Sequence, residues 1–177
     1  DHWDVRIEDS CLKILALHQP VAIDLRRITV VMKISAELER VADLAVNIAE
    51  RSLGLLDAPQ SAVPELPKEM AQRAVDMLHG SIDSYVDLNS QRARQIIRED
   101  DQVDQTNREL IESLIRQMHE HPDRLDALLN LFSALWQVEG VGDDARNIAE
   151  DVVYLVEGRI IRHATHLEKS QEAKAGP

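Results

Sequence analysis

The 177-residue chain has little of what several protein classes require. Its single cysteine, Cys11, excludes an internal disulfide and fits a reducing compartment such as the cytosol. No apolar run approaches the ~20 residues that span a bilayer, and no signal peptide is visible. Glycine and proline number only six each, and aromatic residues make up 3% of the chain. Because good helix formers are abundant instead, the composition predicts an all-α protein.

Basic residues are also few relative to acidic ones, which gives a formal net charge of −12. This balance argues against a general nucleic-acid binder, which needs an excess of lysine and arginine for phosphate contacts. It also disfavours direct electrostatic attachment to anionic lipid. The charge suits a metal cation or a basic protein partner, and it equally suits an acidic surface that is only solvated.

Helical periodicity divides the chain into long amphipathic segments separated by proline. The predicted segments are a first helix up to Pro20, a helix from Val21 to about Leu55, a helix over 68–88, a helix over 89–120, and a last helix from about Asp123 to at least Val156. An extension of the last helix through Gly158 to His166 is left open. Cys11, Phe132 and Trp136 are predicted to be core residues.

One motif occurs twice, with a shift of one hundred residues. The chain reads "ERVADLAVNIAE" over 39–50 and "EGVGDDARNIAE" over 139–150. The same shift places Asp1 and Asp4 on Asp101 and Asp104 in the preceding helix. The chain also begins at Asp1 without a methionine, as if within a helix. We therefore expect two related helical units, of which the first lacks its leading helix in this sequence.

The polar positions of each motif share one stripe of a helix, about 80° wide, because they are spaced by four, four and three residues. Ionised carboxylates one turn apart repel each other, so the repetition suggests a cation that offsets the repulsion. Glu39 and Asp43, or Glu139 and Asp143, could bind one hard cation or bridge two. Because these ligands are all oxygen atoms, they favour Mg²⁺, Mn²⁺, Ca²⁺ or ferric iron. Zn²⁺ is less favoured but remains a candidate. Alternatively, arginines pair with these acids on a solvated surface: Arg26, Arg40, Arg51 and Arg146.

The motifs of catalytic sites are missing. The chain contains no Glu-x-x-His of the ferritin-like di-iron type, no metalloprotease HExxH and no P-loop. It also contains neither GxGxxG nor GxSxG. The sequence therefore predicts a protein that is not an enzyme. A metal-dependent helical-bundle enzyme, a metal store and a purely structural helical scaffold remain as alternatives.

The chain resembles the PhoU phosphate-signalling family over nearly its whole length. The segment "ALHQPVAIDLRRITVVMKISAELERVADLAVNIAERSL" is similar to the family's long helix, with its QPxAxDLR start and ERxGDxxxNIA core. The segments "DDQVDQTNREL" and "VEGVGDDARNIAEDVVYLVEG" resemble the second repeat of the family. The resemblance implies two tandem three-helix bundles. We accordingly divide the chain into a partial first repeat (1–56), a linker (57–67), a second repeat (68–166) and a tail (167–177).

The resemblance also implies a function. Members are cytoplasmic negative regulators of phosphate uptake and phosphate-starvation signalling, peripheral to the membrane through their partners. The implied partners are a Pst-type phosphate transporter, through its ATPase subunit, and a PhoR-type sensor histidine kinase. A homodimer is also expected, with neither nucleic acid nor a transmembrane segment. An accessory role for another phosphate transporter remains an alternative.

Some members bind multinuclear iron or other cations through the duplicated motif. Carried over to this sequence, the implied metal ligands are Glu39, Asp43, Asp1 and Asp4 in the first cluster and Glu139, Asp143, Asp101 and Asp104 in the second. Weaker candidates on the same stripes are Asn47, Glu50, Asn147 and Glu150. The sequence departs from the family pattern at four positions. The family's glycine is Ala42 here, its arginine is Gly140 in the second motif, and its common histidine is Leu44 in the first motif and Asp144 in the second.

Overall fold

The computed structural model describes residues 2–55 and 66–161, which form five long helices. They are α1 (His2–His18), α2 (Ala22–Leu53), α3 (Leu66–Val86), α4 (Ser90–Glu120) and α5 (Leu125–Glu157), with a short 3-10 helix at Pro122–Arg124 before α5. No strand occurs in these two ranges, which confirms the all-α prediction. None of the five helices is both long enough and apolar enough to cross a bilayer.

The helix ends follow from local chemistry. Asn89 caps α4, because its side-chain oxygen accepts a hydrogen bond from the backbone N–H of Arg92 at 3.0 Å. Gly158 ends α5 in the left-handed conformation, with φ of 73°, and its N–H donates to the carbonyl of Tyr154. The extension of this helix that the sequence left open is therefore wrong for residues 158–161, and residues 162–166 lie outside the described part of the chain.

Helix α3 begins slightly earlier than predicted. It starts at Leu66 rather than residue 68, and Pro67 lies in its first turn, where the missing N–H of proline costs nothing. The predicted boundaries of the repeats, the linker and the tail stay predictions.

Helix α5 is the centre of the structure, because α2, α3 and α4 all pack against it. It runs antiparallel to α2, since Lys33 contacts Asp151 near one end and Gly140 faces Leu44 nearer the other. Its buried side chains occupy most of its circumference, as expected for a helix enclosed by neighbours. The core that they form with α3 and α4 includes Met70, Met77, Ile96, Val103, Leu114, Leu135, Ala145 and Val152.

Helix α2 is much less enclosed. In the described residues only the backbones of α1 and α5 approach its own backbone closely, and its buried residues are Val30, Ile34 and Ser35. Val41 and Ile48 are partly buried against the core, whereas the alanines on the same half of the helix remain exposed. The two copies of the motif therefore lie on helices with very different surroundings.

The three predicted core residues have different outcomes. Cys11 is buried, as predicted, and Phe132 is half-buried against the main core. The prediction is wrong for Trp136, whose exposed fraction is 58%. The four-residue spacing of Phe132 and Trp136 does not give them equal burial, because the 40° between them moves Trp136 toward the uncovered side of α5.

Candidate functional site

One side of the α2–α5 pair is open. A pocket of about 270 Å³ lies between the two helices, lined by Thr29 and Lys33 of α2 and by Glu150, Asp151 and Tyr154 of α5. Helix α3 covers the other side, where its Leu78 and Tyr85 pack against the cluster that includes Val30 and Ile34. The pocket therefore marks the neighbouring edges of α2 and α5 that α3 does not cover.

Both copies of the motif continue along these open edges. Asn47 lies about five turns after Thr29 on α2, and Asp43 lies about one turn before Asn47. On α5, Asn147 lies about two turns before Tyr154, and Asp143 and Trp136 precede it on the same edge. The two stripes therefore lie on one side of the molecule. We call this side the open face: Glu39, Asp43, Asn47 and Glu50 of α2, Trp136, Glu139, Asp143 and Asn147 of α5, and the pocket residues.

Arg146 lies at the centre of the second acidic cluster. Its Nε lies 2.9 Å from Asp100 Oδ2, and its terminal nitrogens lie 3.1 Å from Asp143 Oδ1 and 3.6 Å from Glu150 Oε1. The Nε–Asp100 contact is an ion pair by distance, but its orientation is poor for a hydrogen bond. One guanidinium thus serves three carboxylates, which is too little charge to neutralise them all.

Burial dominates the protonation of this cluster. Asp100 is 7% exposed, and loss of hydration raises its pKa from 3.8 to about 7, although Arg146 acts to lower it. Burial also raises the pKa of Glu139, and the charges of Asp143 and Asp104 raise it further against the opposing effect of the arginines. Because nearby acids raise the pKa of Glu139 in addition to burial, one guanidinium does not neutralise all of these carboxylates.

A second buried carboxylate joins α5 to α2. Asp144 is fully buried, and Arg40 Nη1 lies 3.1 Å from its Oδ1, without the geometry of a hydrogen bond. Burial raises the pKa of Asp144, the charge of Arg40 acts to lower it, and the neighbouring Glu37 acts to raise it.

The first cluster is more open. Asp4 of α1 accepts a hydrogen bond of 2.8 Å from the hydroxyl of Ser35, one turn before Glu39 on α2. Glu39 is half-buried and Asp43 is exposed. Asp1 lies outside the described residues. The weaker candidates differ in the same way, since Asn47 and Glu50 are exposed while Asn147 is half-buried and Glu150 is buried.

Comparison with known proteins identifies the family. The PhoU domain model matches residues 1–52 and 68–152. A PhoU homolog of Burkholderia sp, a phosphate-specific transport system accessory protein, is 33% identical over 175 residues, which cover 96% of this chain and 74% of the relative. The chain belongs to the PhoU family. The PhoU protein of Escherichia coli K12, another phosphate-specific transport system accessory protein, is 31% identical over 160 residues, and the match spans 90% of this chain but only 66% of that protein.

Solved PhoU structures share the fold. PhoU from Pseudomonas aeruginosa superposes with a TM-score of 0.85 at 32% identity, covering 88% of this chain and 75% of the other. The phosphate transport system regulatory protein PhoU from Streptococcus pneumoniae superposes with a TM-score of 0.76 at 25% identity, covering 89% and 77%. The fold expected from the PhoU resemblance is therefore present.

The metal ligands implied by the PhoU resemblance stay a prediction. In residues 2–55 and 66–161, no group of three or more histidine, cysteine, aspartate or glutamate side chains is arranged to hold a metal ion. In the second cluster, the arginine alternative accounts for the contacts, because Arg146 pairs with Asp143 and Glu150. An ion that used Asp143 and Asp104 would have to compete with this guanidinium, so the arrangement as folded does not fit a preformed metal centre.

Three residues of the site were not predicted from the sequence: Asp100, Asp144 and Glu37. A signal for Asp100 exists, because the buried residues of α4 follow a three–four spacing, which is typical of an apolar helix face. They are Ala93, Ile96, Asp100, Val103, Asn107, Leu110 and Leu114. A carboxylate within such a series is a candidate for a buried charge. No comparable signal marks Glu37, whose role depends on how α2 and α5 are aligned.

Proposed function

We propose that this chain is an accessory regulator of a phosphate-specific transport system and a negative regulator of phosphate uptake and phosphate-starvation signalling. The observation that carries the proposal is its membership of the PhoU family across both halves of the chain. The names of the Burkholderia and Escherichia coli relatives add the association with phosphate-specific transport. Since the chain spans 66–74% of these two relatives, the role is assigned to the protein by likeness.

The mechanism that we propose is that of a cytoplasmic adaptor without enzymatic activity. The adaptor binds a sensor histidine kinase and the ATPase subunit of the transporter, and so is peripheral to the membrane through these partners. It holds the kinase in one state only if it binds the two kinase states with different affinity. The negative potential around Glu139 and Asp143 supports contact with basic surfaces on a partner, because complementary charge speeds encounter and aids specificity. We include a homodimer in the proposal, which sedimentation equilibrium tests.

The test is complementation in a bacterium that lacks its own PhoU relative. With phosphate plentiful, such a strain is expected to express a phosphate-starvation reporter, and this chain is expected to repress the reporter to the wild-type level. An equally expressed variant with the buried Met77 changed to Asp, which cannot keep its core, is the inactive control. Full reporter expression in the presence of folded, unmodified chain would contradict the proposal.

Binding to the partners is tested separately. Tagged chain is expected to retain the transporter's ATPase subunit and the kinase from detergent extracts of cells grown in high phosphate. If neither partner is enriched over the Met77→Asp control while the reporter is repressed, the adaptor mechanism is wrong although the regulatory role stands.

Metal binding is a second, independent part of the proposal. The exposed Asp43 and half-buried Glu39 support a site in the first cluster, because within residues 2–55 and 66–161 neither forms an ion pair that would compete with a metal, as Arg146 does at Asp143 in the second. Elemental analysis of purified chain is the measurement, with Glu39→Gln/Asp43→Asn as one variant and Glu139→Gln/Asp143→Asn as the other. The exposed pair Glu109→Gln/Glu112→Gln on α4 is the matched control. Metal content that is equal in all three variants and the unmodified chain would exclude both clusters.

A further inference from the structure

Trp136 lies in an unusual position on the open face. It is 58% exposed on α5, although Phe132, one turn earlier, is half-buried against the core. Leu125 and Leu129 are 43% and 48% exposed. They lie eleven and seven residues before Trp136, which are close to whole numbers of helical turns, so all three lie on the same edge of α5. An exposed apolar stripe about 17 Å long therefore runs along α5 from Leu125 to Trp136.

The acidic stripe continues directly from this apolar stripe. Glu139 begins it within one turn after Trp136, and Asp143 follows one turn later. Because α2 runs antiparallel beside α5, with Gly54 against Asn130 and Gly140 against Leu44, Trp136 lies level with the Asn47–Glu50 turn of α2. The exposed Glu50 therefore lies at about the same level along the helix pair as the tryptophan, and Glu139 and Asp143 lie ahead of the tryptophan on α5.

The local cations are already engaged. Arg146 contacts Asp100, Asp143 and Glu150, while Arg40 contacts the buried Asp144. Burial is the largest cause of the raised pKa of Glu139, and the charges of Asp143 and Asp104 raise it further although Arg146 and Arg40 lower it. The open face thus joins an uncovered apolar stripe to a stripe in which carboxylates outnumber the guanidinium groups that contact them.

We propose that the open face of α5 is a docking surface for a partner helix with an apolar half and a lysine- or arginine-rich half. The apolar half packs on Leu125, Leu129 and Trp136, and the basic half reaches Glu139 and Asp143. The order of the two stripes along α5 fixes the direction in which the partner helix lies. The proposal rests on the adaptor role proposed above, and it names the surface and the chemistry of the segment that the adaptor binds.

A basic partner fits this surface better than a second copy of the chain. In a two-fold symmetric contact the same patch faces itself, so a second copy would not supply the lysines or arginines that the acidic stripe attracts. The net charge of −12 adds to this repulsion. Large exposed aromatic side chains next to charged groups are, by contrast, frequent anchors in interfaces between different proteins.

The experiment uses a fluorescein-labelled synthetic peptide of 24 residues, with leucines at helical spacing in one half and lysines in the other. Fluorescence anisotropy measures its Kd for the purified chain at two salt concentrations. Trp136→Ala and Leu125→Ala/Leu129→Ala are each expected to weaken binding at least tenfold. Trp3→Ala is the matched control, because Trp3 is also exposed but lies on α1, and it is expected to leave the Kd unchanged.

The charge half is tested by Glu139→Gln/Asp143→Asn, which is expected to weaken binding and to reduce its dependence on salt. A peptide with glutamate in place of every lysine is expected not to bind. Equal binding of both peptides, or equal Kd values for the Trp136→Ala and Trp3→Ala chains, would overturn the proposal.

Two further outcomes separate this proposal from its alternatives. If Trp136→Ala abolishes self-association in sedimentation equilibrium, the face is an interface between copies and the proposed occupant is wrong. If Trp136→Ala loses the peptide but still represses the phosphate-starvation reporter fully, the regulatory function stands and the docking surface is not part of it. Loss of both peptide binding and repression, with Trp3→Ala intact in both assays, supports the proposal.

Discussion

Replacement of Asp100 by asparagine should stabilise the protein in mildly alkaline solution and leave it nearly unchanged in acid. Burial raises the pKa of Asp100 from 3.8 to about 7 in the folded chain, despite the guanidinium of Arg146 at 2.9 Å. In an unfolded chain the carboxyl is hydrated and keeps its ordinary pKa. The folded state therefore holds one more proton than the unfolded state between about pH 4 and about pH 7.

The direction in which stability changes with pH follows from this additional proton of the folded state. Because the folded pKa is raised, stability from this group is greatest at low pH, and it is lost as the pH rises from about 4 through about 7. A shift of about three pH units, at about 1.4 kcal/mol for each, amounts to about 4 kcal/mol over the window. Asparagine has nearly the same shape and cannot ionise, so Asp100→Asn should gain up to this amount over the wild type at pH 8. At pH 4 the two should be similar.

The assay is urea unfolding followed by far-ultraviolet circular dichroism at pH 4, 5, 6, 7 and 8. The free energy of unfolding of the wild type should fall more steeply with pH than that of Asp100→Asn. Asp83→Asn is the matched control, because Asp83 is exposed on α3, and it should follow the wild type at every pH. If Asp100→Asn is the less stable protein at pH 8, the ion pair with Arg146 outweighs burial and the reasoning is refuted.

Three further substitutions test other contacts by the same unfolding assay. Arg146→Gln leaves three acids without their shared guanidinium and should cost about 3–5 kcal/mol at pH 8 and less at pH 5; an equal loss at both would contradict it. Asn89→Ala removes the cap of α4 and should cost about 1 kcal/mol, and no loss would mean that the cap is redundant. Gly142→Ala should gain up to about 1 kcal/mol from helix propensity, whereas Gly140→Ala should gain less, since its Cβ would lie 3.1 Å from Leu44 Cδ1; an equal gain would show that Leu44 yields freely.

The helices could be predicted from the sequence because their signals are local. Proline separates the first two helices at Pro20 and marks the break at Pro122, and the apolar residues between breaks keep a helical period. The left-handed Gly158 ends α5 where the sequence left a longer helix open, because a glycine inside an apolar pattern can either continue a helix or stop it. Its conformation depends on the packing of the last turn, which periodicity does not report.

The burial of charge could not be predicted in the same way. The angular arithmetic correctly groups Glu139, Asp143 and Asn147, but it does not tell which neighbouring helix lies beside them. Arg146 is only 60° from Asp143 on a helical projection, and its partner Asp100 comes from another helix. Asp104 was expected to face the motif, and its charge does raise the pKa of Glu139, whereas Asp101 is exposed.

The duplicated motif shows why identical spacing need not give an identical site. In α5 the motif is enclosed by three helices, so Glu150 is buried and burial raises the pKa of Glu139. In α2 the same positions have only two neighbouring helices in the described residues, and Asp43 and Glu50 remain exposed. Burial of a charge costs free energy unless an opposite charge pairs with it, whereas an exposed charge is stabilised by water. The second copy therefore needs an internal cation, and the first does not. The first stripe is consequently the more available of the two for an external cation, and the second, with Trp136 beside it, is the better suited to a basic helix.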